Sequence, residues 1–247
     1  MIDIHSHIIH GVDDGPTNID QAINMVAEAE KLGIREIIAT PHYHEAIFEF
    51  ERVEENFQEL LERTQNYDVA ISLGCELFLS KVNKFSSRII NRTKKSKTGR
   101  VMVEFPYNAN YSDCISIVGK LKQENITPIL AHPERNRNFH HGYGGLIVLA
   151  KAGCIIQIDA ASIVGTYGIR VKEFAKSLIQ MNIADLVASN AHCPSDYKQW
   201  YMAAYNNVIQ WAGQERASMM FSQNAKSLIE IAQKSAFKKK LKVGEML

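Results

Sequence analysis

Short runs of consecutive apolar residues alternate along this chain with stretches in which apolar residues return every three or four positions. Runs of the first kind predict strands buried on both faces, and stretches of the second kind predict amphipathic helices. The strand signals fall at Ile2–Ile4, Ile34–Ala39, Val69–Leu73, Val101–Phe105, Thr127–Ala131, Cys154–Ile158 and Ile183–Ser189. Between the first two, Thr17 and Asp20 predict a capping box ahead of an apolar stripe of Ile19, Ile23, Val26, Ala27 and Ala29, with Gly33 as the stop. Further helices are expected at 50–66, with Val53, Phe57, Leu60 and Leu61 inward, at 112–125, after the Gly142–Gly145 segment as far as Ala152, and at 167–182, 197–212 and 222–234. Strands alternating with helices in this order predict a parallel α/β architecture.

The polar residues that interrupt this pattern are placed by rule. His5, His42, Glu76, Glu104, His132 and His192 each stand at the end of a strand signal or just past it. In a barrel of parallel strands such positions share one mouth. A doubly wound sheet would spread them along an edge, so closure of seven strands is the better reading.

Size and composition agree with a single unit over residues 1–247, since a chain that is 46% hydrophobic can bury a large core. A formal net charge of +1, from 28 basic and 27 acidic residues, gives no argument for nucleic acid as a partner. Cys75, Cys114, Cys154 and Cys193 are too scattered for a disulfide scaffold, which makes a reducing cytoplasm the default location. No run approaches membrane-spanning length, so direct membrane insertion is not expected. The rhythm breaks at about 80–100, where Arg88, Arg92, Lys94, Lys95, Lys97 and Arg100 occur without an acid among them. That excursion reads either as a solvated surface or as a basic lip for an anionic polymer. The residues from about 235 to 247, rich in lysine, read as a flexible tail.

The chemistry begins at the N-terminus. His5 and His7 are two residues apart on an extended chain, so both imidazoles leave the same face and can converge on one ion, with Asp14 on a glycine-flanked turn behind them. Together with His42, Glu76, Glu104, His132 and His192 they are too many ligands for one tetrahedral ion. They suit two or three borderline divalent ions such as manganese, iron or zinc, with carboxylates bridging. Such a cluster activates water and screens phosphoryl oxygens. Arg135 and Arg137, just past a strand-end ligand, offer guanidinium forks that match phosphate, or else form rim ion pairs with Glu134. Glycine at 142–145 adds a weak signal for anion binding, and Cys75 and Cys193 beside ligand positions read as packing or supporting groups.

These motifs resemble the metal-dependent protein-tyrosine phosphatases of the PHP (polymerase and histidinol phosphatase) superfamily found with bacterial capsule and exopolysaccharide operons. The resemblance rests on Ile2-Asp3-Ile4-His5-Ser6-His7, Asp13-Asp14-Gly15, Ala39-Thr40-Pro41-His42, Gly74-Cys75-Glu76, Val103-Glu104-Phe105-Pro106, Ala131-His132-Pro133-Glu134-Arg135-Asn136 and Val187-Ala188-Ser189-Asn190-Ala191-His192, in family order. It implies a distorted, TIM-like (βα)7 barrel with a three-metal site, often manganese-activated. His5 and His7 would hold one ion, and Glu76 would bridge it to a second completed by Glu104 and His132. Asp14, His42 and His192 would hold a third, with Arg135 and Arg137 gripping phosphate. The implied substrate is the phosphorylated, tyrosine-rich C-terminal tail of a membrane-bound bacterial tyrosine kinase that controls polysaccharide synthesis, met by a cytoplasmic phosphatase. Self-association is left open.

One position departs from the resemblance: the last motif carries Asn190 where the family has an aspartate that binds the first ion. An amide oxygen still coordinates, but it is neutral. Counted on the residues above, Asp14, Glu76 and Glu104 set three negative charges against up to six positive ones, which predicts weak occupancy of the first ion and slow turnover. The expected reaction is hydrolysis of phosphotyrosine by metal-activated water, with Asp14 or His42 assisting as acid and no cysteine nucleophile. The alternatives are a small-phosphomonoester phosphatase of the same superfamily and a phosphotyrosine-binding regulator weakened by Asn190.

Overall fold

The computed structural model describes residues 1–43, 49–79 and 99–229. Its strands are β1 (Ile2–Ser6), β2 (Glu36–Ala39), β3 (His42–Tyr43), β4 (Ala70–Leu73), β5 (Glu76–Phe78), β6 (Arg100–Glu104), β7 (Thr127–Leu130), β8 (Ile155–Asp159) and β9 (Leu186–Ala188). Every pairing between them is parallel, in the orders β1-β2-β4 and β3-β5-β6-β7-β8-β9. The two orders are halves of one ring. The second strand is broken at Thr40-Pro41, where proline has no N–H to give, and the third at Gly74-Cys75. Gly74 N–H donates to Ala39 O at 2.7 Å and Glu76 N–H to Pro41 O at 3.0 Å, which carries the pairing across both breaks. The ring closes where Ser6 bridges Ala191 in parallel, Asn190 N–H donates to His5 O and His7 N–H to Ala191 O, both at 2.9 Å. The seven expected strands thus form a closed but interrupted barrel.

Helices α1 (Ile19–Lys31), α2 (Phe50–Arg63), α3 (Tyr111–Gln123), α4 (Gly144–Lys151), α5 (Ala160–Val164) and α6 (Ile169–Gln180) follow the strands, with α7 (Pro194–Asp196), α8 (Met202–Ala212) and α9 (Gln214–Ser218) last. The sequence reading of α1 needs two corrections. Its N-cap is Asn18, which accepts from Gln21 N–H at 3.0 Å, while Thr17 bonds the Gln21 side chain. Its buried face is Ala22, Met25, Val26 and Ala29, a rotation of about one residue that lets small side chains meet the barrel and leaves Ile19 and Ile23 at its margin. The C-terminal region also differs. A wide π turn at Tyr197–Tyr201 joins α7 to α8, and a new helix starts at Gln214 after Gly213, whose φ of 89° breaks the preceding one.

Two apolar clusters fill the molecule. The larger lies between strands and helices, and the smaller takes Ile2, Ile4, Met102, Ala131, Leu186 and Ala188 from strands all round the ring. Ala225 and Leu228 join that inner cluster, and Leu228 O accepts from Arg100 Nη1 at 2.9 Å at the start of β6. The helical residues 224–229 therefore plug the end of the barrel where the strands begin, leaving their C-terminal ends for the site. The basic residues 88–97 and the tail from 235 onward lie outside the described residues.

Candidate metal centre

The strand ends deliver the expected side chains to one place. Glu76 is wholly buried, and its Oε2 lies 3.3 Å from His5 Nε2, 3.4 Å from His7 Nε2 and 3.0 Å from His42 Nδ1. Its Oε1 is 3.1 Å from His132 Nε2, with Glu104 a further neighbour of that ring at 4.0 Å. On the open side, Asp14 Oδ1 sits 3.5 Å from His42 Nε2 and 3.3 Å from His192 Nε2. The register explains part of this, since His42 and Glu76 are directly paired across β3 and β5. Ligand atoms come within 4.8 Å of one another in four groups: His7, Asp14, His42 and His192; His5, His7 and Glu76; His42, Glu76 and Glu104; and His5, His132 and Asp159.

The donors fit cations better than protons. His5 Nδ1 is 3.0 Å from Gln157 Oε1, His7 Nδ1 is 2.7 Å from Asp13 Oδ2, and His192 Nδ1 is 2.9 Å from Asn190 O. Each contact assigns the ring proton to Nδ1 and leaves Nε2 as an acceptor, the usual support of a metal-ligating histidine. His5 Nε2 and His7 Nε2 then face each other at 3.2 Å, two lone pairs that call for a cation between them. Asn190 Oδ1 is buried without a hydrogen-bond partner. Burial works against charge on His5, yet the Glu76 carboxylate outweighs it and raises the imidazole to about 9. Burial likewise pushes Glu76 up, but His5, His132 and His42 hold it well below its usual range. Asp14 is kept low chiefly by the neighbouring His192 imidazole.

Several working residues were not legible as candidates. Asp13 accepts from His7, from Gly15 N–H at 3.0 Å and from His42 N–H at 3.0 Å, so it fixes the turn and two ligands together. Asp159 ends β8 and is fully buried, with Gln157 two residues before it on the same strand face. The strand-end rule would have found Asp159 had the sixth strand been extended by one residue. The two arginines separate. Arg135 lines a cavity of 490 Å³ together with Asp14, His42, Glu104, His132, Asn190 and His192, and donates to Asp159 rather than to Glu134. Its guanidinium carbon lies 4.9 Å from the centroid of Tyr107 and 4.3 Å from that of Tyr167. Arg137 instead lines an adjoining groove with His140, His141 and Arg170. Cys193 Sγ is taken by Ser195 and Asp196, and burial pushes the Cys114 and Cys154 thiols up to about 12.

A closed parallel barrel whose mouth gathers imidazoles around a buried carboxylate, with an arginine at the rim, defines a metal-dependent hydrolase scaffold of the PHP and TIM-like kind. The chain belongs to the CpsB/CapC family of capsular polysaccharide synthesis, which it matches over residues 1–230. It is 31% identical to the tyrosine-protein phosphatase YwqE of Bacillus subtilis (strain 168), over 78% of this chain and 77% of that one. Identity to the tyrosine-protein phosphatase CpsB of Streptococcus agalactiae serotype III (strain NEM316) is 27%, covering 93% and 98%. Among solved structures it resembles one from the work on YwqE of Bacillus subtilis and CpsB of Streptococcus pneumoniae, described as metal-dependent tyrosine phosphatases. That likeness has a TM-score of 0.82 at 28% identity, over 94% of this chain and 95% of the other. A histidinol phosphate phosphatase of Lactococcus lactis shares the fold, with a TM-score of 0.56 at 13% identity, over 94% and 93% of the two chains.

Proposed function

We propose that this chain is a metal-dependent protein-tyrosine phosphatase acting on the phosphorylated, tyrosine-rich tail of a membrane-bound bacterial tyrosine kinase in capsular or exopolysaccharide synthesis. The observation that carries the reading is the 490 Å³ cavity, where Arg135 and the ligand cluster share one space walled by Phe78, Tyr107, Tyr167 and Trp200. Two to three divalent ions suit it, manganese first and iron or zinc as alternatives, held by His5, His7, Asp14, His42, Glu76, Glu104, His132, Asn190 and His192. When bound, such ions lower the pKa of a water and draw charge from phosphoryl oxygens.

The chain's own residues do the rest. Arg135 presents its fork to the phosphoryl oxygens, and the rings of Tyr107 and Tyr167 restrict where that fork can point. The aromatic walls suit a phenyl ring and exclude water around it. Tyrosinate, with a pKa near 10, is a better leaving group than an alkoxide. Asp14 and His42 border the cavity and are more exposed than the buried Glu76; with Asp14 held low, His42 is the one suited to pass it a proton. The adjoining groove shares Tyr107, Arg135 and Tyr167 with the cavity, and adds Arg137, His140, His141 and Arg170. It suits an acidic peptide running away from the phosphotyrosine, and the basic 88–100 segment would extend that attraction. No helix among the described residues is long and apolar enough to cross a membrane, which suits a cytoplasmic enzyme meeting its kinase at the inner face.

The test is a competition between a phosphotyrosyl peptide, histidinol phosphate and single-stranded DNA, with and without chelator. Preferred turnover of the peptide, abolished by chelator and largely spared by thiol alkylation, is expected. Loss on alkylation with resistance to chelator would overturn the metal mechanism, and preference for histidinol phosphate would favour the small-substrate alternative. The regulator alternative that Asn190 leaves is tested by turnover of a chromogenic aryl phosphate with added manganese, where absence of turnover would favour it.

A further inference from the structure

Position 190 holds a neutral amide in a pocket built to hold cations, yet a wholly buried carboxylate touches it. Asn190 Nδ2 donates to Asp159 Oδ2 at 3.2 Å. The amide orientation follows from its partner, because a carboxylate only accepts. The other arm of the same amide, Oδ1, is buried and has no hydrogen-bond partner. Asp159 Oδ2 also accepts from Arg135 Nη1 at 3.2 Å, and Oδ1 accepts from Gln157 Nε2 at 3.1 Å. A carboxylate offers about four lone-pair sites, so these three contacts leave one to spare. The same carboxylate lies within ligand reach of His5 and His132, which belong to the ion cluster.

We propose that Asp159 is an anionic ligand of this site, completing an ion position with His5 and His132, and that Asp159 and Asn190 act as an exchanged pair in which the charge sits at 159 and the amide at 190. The count of carboxylates around the ions then rises from Asp14, Glu76 and Glu104 to include a fourth, and Asn190 no longer implies a depleted site. Asn190 keeps two tasks: its backbone closes the barrel on His5, and its side chain holds Asp159 in place while offering Oδ1 to the ions. The competing role for Asp159 is purely that of counter-ion to Arg135, which would affect phosphate binding and leave the ions alone.

The inference rests on the metal-dependent reading above, and manganese titration of the intact protein separates the two. The unaltered chain should bind two to three manganese ions, and D159N should lose one or bind it at least tenfold more weakly, the scale of losing a ligand's support. The exchange variant D159N/N190D restores a carboxylate facing an amide, so it should fold even where D159N does not. It should recover manganese binding to within a few-fold of the unaltered chain. An unchanged isotherm for D159N, with only KM for an aryl phosphate raised, overturns the inference in favour of the Arg135 role. A folded exchange variant with weakened binding overturns it too. Failure of the unaltered chain to bind manganese, iron or zinc would overturn the metal-dependent reading together with it.

Discussion

Two residues show how a buried ligand is held by what stands behind it. His7 has no choice of tautomer while Asp13 Oδ2 sits 2.7 Å from its Nδ1, and the same oxygen also receives His42 N–H. Asp13→Asn removes the charge and sets an amide N–H against either the His7 ring N–H or the Gly15 N–H, so manganese affinity should fall 10- to 100-fold, read by titration calorimetry. An unchanged affinity would mean that His7 is held by the backbone alone. Arg135 makes a different claim. Lysine at 135 keeps the charge but not the fork or the stacking between Tyr107 and Tyr167. Arg135→Lys should therefore raise KM for a phosphotyrosyl peptide about tenfold, near 1.4 kcal/mol, with manganese stoichiometry intact. Equal KM values would show that the fork is not a phosphate grip.

At the scale of elements, the decisive joint is between β1 and the turn after β9. Asp3, fully buried, accepts from Ser189 N–H at 2.9 Å, from Tyr197 OH at 2.8 Å and from the Ser189 hydroxyl, and the Tyr197 hydroxyl also reaches Ser6 Oγ at 3.1 Å. These bonds fasten the first strand to the last and to the π turn beside it. Tyr197→Phe leaves Asp3 short of a partner in a dry interior, at a cost of about 1–3 kcal/mol. Thermal unfolding should shift down by roughly 2–12 °C for a chain of this size. A Tm within a degree of the parent would mean that Asp3 is satisfied without the tyrosine. Strand number, order and the shared mouth were legible because every ligand motif follows an apolar run. The joint itself was not, because Asp3 inside an apolar run carries no period that names its distant partner Tyr197. The face of α1 was misjudged for a related reason, as Ala22 and Met25 are chosen by close packing rather than by hydrophobicity. Asp159 escaped because its strand was ended at Ile158, and sequence proximity could not show that Arg135 borders both the cavity and the adjoining groove while Arg137 borders the groove alone.

For the whole molecule, the centre is graded from dry to wet across the barrel mouth, and that gradient orders the loss of its ions. His5 and Glu76 have no exposed side-chain surface, whereas Asp14 is 68% exposed and His42 and His192 are 25% and 27% exposed. Ions held by exposed ligands leave first, while those around Glu76 sit inside the ring that closes the fold. A site held at 100 times its Kd stabilises the folded state by about 2.7 kcal/mol. For a chain of this length that corresponds to roughly 5–11 °C of Tm per site. Titration with chelator should then show two stages. Phosphatase activity falls in the first with little change in Tm, as the Asp14, His42 and His192 position empties, because a site held only near its Kd stabilises by about 0.4 kcal/mol. Tm falls in the second, by about 5–20 °C, as the ions around Glu76 are stripped and their imidazoles are left crowding one carboxylate. Differential scanning calorimetry with parallel rate measurements reads both stages at once. Activity and Tm falling together along one curve would mean that the centre loads as a single cooperative unit and that exposure does not rank its ions.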